Sequence, residues 1–177
     1  MMSLVYVFWM YVLVFAIIGM LRGWAKELLV SFSVILALAL NHLLRRYVPI
    51  IADLPDDSVS LFWIQGLILG ALVFFGYQTV ALVPHLQSKA TRERLQDALF
   101  GAILGGINGY LIAGTILFYV VQTNYQIAPA VVSAPADPGT AAAVQSLLTF
   151  MPPHLLGEPG IYFAVILAFI FVIVVYI

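Results

Sequence analysis

Apolar and polar positions fall into blocks along this chain. Five apolar runs stand out: Ser3 to Leu21, Leu28 to about Leu44, Val59 to Val83, about Ala98 to Val121, and Ile161 to Ile177. A hydrocarbon core of ~30 Å is crossed by about 20 predominantly apolar residues at ~1.5 Å of rise each. The pattern therefore predicts an all-α, polytopic transmembrane helical bundle of about five spans. The first run has no charge, no basic segment before it and no A-x-A cleavage pattern, so it is expected to be a span and not a cleaved leader. The third stops at Pro84, where the missing N–H and the ring clash end a helix. The fifth is nearly pure Ile, Val and Phe, starts from Pro159 at a favoured first-turn position, and has no basic or Trp anchor after it.

The stretches between runs also carry pattern. His85 to Gln96 is polar and basic and predicts an interfacial turn or helix near anionic headgroups. Gln122 to Gly160 is rich in Ala, Pro and Ser and is expected to be partly irregular. Inside it Thr140 is a candidate N-cap. Val144, Leu147, Leu148 and Met151 follow at i, i+3, i+4 and i+7 before Pro152-Pro153, which predicts a short amphipathic helix on the outer membrane surface. The chain thus divides into a four-span core over 1–121, an extracytoplasmic loop over 122–160 and a fifth span over 161–177.

Composition sharpens the class. Of 177 residues, 64% are apolar and 8% are charged, against roughly a quarter charged in soluble domains. A chain of this size cannot hide so much apolar surface in a water-soluble core, so lipid is its solvent. There is no Cys, which removes disulfides, thiolate catalysis and Cys-ligated metals. All seven Lys and Arg lie between Arg22 and Arg94, and the bare remainder speaks against a nucleic-acid partner. The first and third loops hold Arg22, Lys26, Lys89, Arg92 and Arg94, against Arg45 and Arg46 in the second, five to two. By the positive-inside rule the N-terminus is expected outside and the C-terminus inside.

Candidate chemistry is sparse. Gly101, Gly105 and Gly109 repeat every four residues with Ala113 one turn on, and Gly66 and Gly70 form a second small-xxx-small pair. Such faces let helices approach closely, so span three against span four, or span four against its copy, is the expected pairing. Asp97 sits one turn before the glycines and is read as a span-entry carboxylate within reach of Arg92 and Arg94. A proton- or ion-handling role is its less favoured reading. Arg22-Gly23-Trp24-Ala25-Lys26-Glu27 reads as a hairpin turn with an interfacial Trp, Glu27 pairing with Arg22, Lys26 or the third loop's arginines. His42, His85 and His154 are scattered over loops and span ends on both sides, so no metal site is expected. No G-x-S-x-G, Walker or H-E-x-x-H pattern occurs, and no enzyme activity or cofactor is expected.

Two of these blocks together resemble the colicin V production protein family of bacterial inner-membrane proteins. Arg22-Gly23-Trp24-Ala25-Lys26-Glu27-Leu28-Leu29 is similar to that family's R-G-aromatic-x-[RK]-E hairpin. Asp97-Ala98-Leu99-Phe100-Gly101, continuing through Gly105 and Gly109, is similar to its D-R-x-x-G-x-x-x-G-x-x-x-G entry into the fourth span. The resemblance covers roughly residues 1–121. Departures are Ala98 and Asn108, where the family pattern carries Arg, and an acid-free first span. The resemblance implies a multi-pass protein of the bacterial inner (cytoplasmic) membrane with an envelope-maintenance or export-associated role. Its partners are then the lipid bilayer and other membrane proteins, or a homo-oligomer through the glycine faces. Two alternatives stand beside it: an accessory subunit of a respiratory or photosynthetic complex packing against partner helices, bound lipid or quinone, and, less favoured, a small oligomeric channel or transporter.

Overall fold

The computed structural model describes residues 4–78, 93–127 and 133–176. The described chain is helical, in the order α1 (Leu4–Arg22), α2 (Trp24–Tyr47), α3 (Pro49–Ala52), α4 (Val59–Gln78), α5 (Glu93–Gln122), α6 (Pro138–Leu148), α7 (Pro152–Leu155) and α8 (Gly160–Tyr176). Four of these, α1, α2, α4 and the stretch of α5 from Arg94, are long and apolar enough to cross a membrane, and α8 is a shorter apolar helix of 17 residues. An all-α polytopic bundle results. Pro84 and most of His85 to Gln96 lie outside the described residues; Glu93 to Gln96 form the first turn of α5, which starts five residues earlier than the apolar run begins.

Local chemistry sets the breaks. Between α1 and α2 a single residue interrupts the helix: Gly23, at φ 88°. Trp24 to Glu27 are therefore the first turn of α2 and not a loop, which corrects the hairpin expectation and lifts Glu27 into the bundle. Val48 is extended before Pro49, as the ring of a following proline demands, and α2 ends there. Leu61 N–H donates to Ser58 Oγ at 3.2 Å, anchoring the start of α4. At α6 the cap is Asp137 and not Thr140: its Oδ2 accepts from Thr140 N–H at 2.8 Å, with Pro138 in the first turn. These contacts hold the Asp137 carboxyl below its ordinary range.

Packing follows from side-chain size. The most extensive contact joins α1 to α5, antiparallel. Here Gly101, Gly105 and Gly109 meet Gly19, Phe15 and Val12 of α1: a Cβ on Gly105 would lie 2.8 Å from Gly19 Cα, and one on Gly109 3.0 Å from Val12 Cα. The glycine row thus packs on the first span. The third span, one of the two expected partners, packs mainly on α2 through Leu69 and Gly76. Among the described residues, nothing outside their own helix lies within 4 Å of where a Cβ on Gly66 or Gly70 of α4 would stand. Beyond the glycines a groove of about 390 Å³ opens between Val7, Tyr11 and Phe15 of α1 and Ile112 and Ile116 of α5. On another side of α1, Val144 and Met151 are buried and Met151 fills the space above Gly114. The α6–α7 segment therefore turns its apolar residues into the bundle, where an outer-surface helix would have turned them to lipid. Finally α8 runs antiparallel along α2, with Phe32 and Phe169 ring centroids 6.2 Å apart and Ile161 buried in the core.

Candidate functional site

Three of the helices that meet at the Gly23 break deliver polar side chains to one place. Glu27, in the first turn of α2, is fully buried at 0% exposure, and so is Asn108 of α5. Arg22, the last residue of α1, places Nη1 3.1 Å from Glu27 Oε1. Asn108 uses both amide hydrogens on the same residue, donating to Glu27 Oε2 at 2.9 Å and to its backbone oxygen at 2.8 Å. Ser31, one turn along α2, donates its hydroxyl to Asn108 Oδ1 at 2.6 Å. Arg22 also donates to the Tyr77 carbonyl of α4 at 3.2 Å, and its guanidinium lies 4.2 Å from the Tyr77 ring centroid. A carboxylate in a bundle that faces lipid is tolerated only when charge and lone pairs are both matched; here a cation takes one oxygen and an amide the other.

A second carboxylate closes the hairpin from outside. Asp97 Oδ1 accepts the Trp24 N–H at 3.0 Å, so it caps α2 from α5. That corrects the expected pairing with Arg94, which is exposed, and replaces the α5 entry role with a contact between helices; Arg92 lies outside the described residues. A Cβ on Gly23 would stand 2.6 Å from Asp97 Oδ2, so the glycine supplies both the left-handed φ and the room for the carboxylate.

The structure therefore brings Arg22 and Glu27 together with Asn108, Ser31 and Tyr77, and Asp97 with the Gly23–Trp24 backbone. It sets Gly101, Gly105 and Gly109 directly below, against Gly19. Ala113 packs beside Phe8 and Leu117 one turn beyond. Gly66 and Gly70 stand apart from all of them. Asn108 and Gly19 were not among the predicted site residues. The signal for Gly19 was available, as it is the one glycine in an otherwise bulky first span. Asn108 stood out only as a departure from the arginine of the family pattern.

At the other end of the bundle Asn41 Nδ2 donates to the Gln65 carbonyl at 3.1 Å and to Tyr119 Oη at 3.3 Å. His42 and Arg46 of α2 share Glu158, which precedes α8. Among the described residues no three His, Cys, Asp or Glu side chains come together.

No curated protein and no solved structure matches the chain. The family model described as colicin V production protein matches residues 5–136, a stretch that holds Arg22, Glu27, Asp97, Asn108 and the glycine row. With both motifs in that stretch and joined in one network, the chain belongs to the colicin V production protein family.

Proposed function

We propose that the protein is a scaffold of the bacterial inner membrane, serving envelope maintenance or export through lateral helix–helix contacts and not by passing solutes through its own interior. The observation that carries this reading is the layering of the bundle. The Arg22–Glu27–Asn108 cluster lies near one end and the Asn41–Gln65–Tyr119 cluster near the other. Between them Val34, Ala37, Leu38, Leu69 and Ile112 form a buried apolar layer. An ion passing that layer would meet no partner for its charge. Outward, Gly66 and Gly70 present a close-approach surface to the membrane, the kind on which a neighbouring helix packs. A lipid tail or quinone side chain fits the apolar groove between α1 and α5.

The orientation that goes with this reading puts the Gly23 end in the cytoplasm, where the five basic residues outnumber the two at the other end. Reconstitution into liposomes tests the closed interior. The expected result is no ion or solute flux above that of empty vesicles; flux that Glu27→Gln abolishes would reverse the assignment in favour of a transporter.

A further inference from the structure

The last helix is fastened to the bundle in an unusual way for a membrane. α8 reads Gly-Ile-Tyr-Phe-Ala-Val-Ile-Leu-Ala-Phe-Ile-Phe-Val-Ile-Val-Val-Tyr, apolar on every side, and Phe163, Ile166, Leu167, Ile170 and Phe171 stay more than half exposed. In lipid such a helix gains nothing from the hydrophobic effect by leaving acyl chains for a protein face; packing and polar contacts must hold it. Among the described residues its main packing is on α2, through Ile161 and the Phe32–Phe169 pair.

The polar contact is concentrated on one carboxylate. Glu158 Oε1 lies 2.9 Å from His42 Nε2, accepts the Tyr162 hydroxyl at 2.9 Å and pairs with Arg46. His42 and Arg46 are one turn apart on α2, and Tyr162 is one turn past Glu158, so both helices present their donors at the same height. With three donors the Glu158 carboxyl stays ionised down to about pH 2. An open cavity of about 540 Å³ bounded by Arg46, Tyr47, Glu158, Pro159 and Tyr162 admits water to the contact. The neighbouring Arg45 is paired elsewhere, with Asp56. The family match ends at residue 136, so Glu158 and α8 lie beyond the matched stretch while His42 and Arg46 lie within it.

We propose that α8 is a releasable strap over α2, and that Glu158 is the positioning residue that sets whether the strap is closed. Ile161 seats the start of α8 in the core while most of its large side chains stay exposed to lipid, so the carboxylate at the water boundary tips the balance between a closed and a released strap.

The chain has no cysteine, so paired cysteines report on it cleanly. In native membranes, Phe32→Cys/Phe169→Cys would read the α2–α8 contact and Phe8→Cys/Tyr110→Cys, whose rings are 5.9 Å apart, the α1–α5 contact. With Glu158→Gln added, the α2–α8 disulfide yield is expected to fall about fivefold, the worth of an exposed multi-donor ion pair, while the α1–α5 yield holds. An unchanged α2–α8 yield would overturn the proposal, because docking would not depend on Glu158. A parallel loss at both pairs would overturn it as well, by making Glu158 a support of the whole fold, and so would an α2–α8 disulfide forming between two chains.

Discussion

At residue scale the chain rests on a carboxylate in a place that normally forbids one. Glu27 is tolerable because Arg22 and Asn108 occupy both of its oxygens, and that dependence makes the pair unforgiving. Removing one member of a buried ion pair leaves an uncompensated charge, at a cost of about 3–5 kcal/mol. Arg22→Ala is thus expected to destabilise the bundle by that order, measured by denaturant titration in detergent. The apolar double variant Arg22→Met/Glu27→Leu should recover most of the loss, because it removes both charges together. Asp97 is a milder case. Asp97→Ala should cost about 1 kcal/mol, as loss of a cap does, and Asp97→Asn distinctly less, since an acceptor for the Trp24 N–H survives. Arg22, Glu27 and Asp97 were all legible in the sequence as marked positions. Arg22 was legible as a candidate partner of Glu27, but Asn108 and the Trp24 N–H were not, because those contacts depend on where α2 begins, and that is decided by the one-residue break at Gly23. Asn108 looked like a lost charge, yet a shorter amide is what fits between Glu27 and Ser31.

At the scale of elements, glycine decides which helices touch backbone to backbone. Gly105→Ala forces a Cβ to within 2.8 Å of Gly19 Cα, and such overpacking is expected to cost about 1–3 kcal/mol. Gly70→Ala meets open space and should leave detergent stability unchanged; comparing the two melting curves checks the assignment of inner and outer faces. The Glu158 strap has its own pH signature. A carboxyl held at about 2 contributes stability in full above the ordinary carboxylate range and loses it progressively as pH falls from that range through the depressed value. Spin-label distances between Phe32→Cys and Phe169→Cys should therefore stay short at neutral pH and lengthen progressively as pH falls below the ordinary carboxylate range toward about 2. The spans themselves were plain from apolar run length. The pairing of span four with span one was not, since a glycine row specifies close approach without naming the partner. The capping of α6 by Asp137 was missed because Pro138 was counted as preceding the helix, when it is its first residue.

For the whole molecule, the physical picture is a closed bundle whose interior is finished and whose outer faces are not. Polar groups sit at two levels with an apolar layer between, and the glycine row is consumed inside the chain. Among the described residues the α4 pair Gly66 and Gly70 remains without a neighbour from another helix. The class of the molecule was readable at this scale from composition alone, because 64% apolar residues leave no soluble alternative. Which faces are inner and which are outer was not, as α1, α4 and α8 are apolar nearly all round and lipid imposes no polar side. The scaffold account makes its most direct claim about those outer faces, and native-gel migration with mass spectrometry, after gentle extraction from the chain's own membranes, tests it. The account predicts a large species of fixed composition, with companion proteins or further copies, that Gly70→Leu dissolves while the chain stays folded. A single chain migrating alone, unaffected by Gly70→Leu, would contradict it.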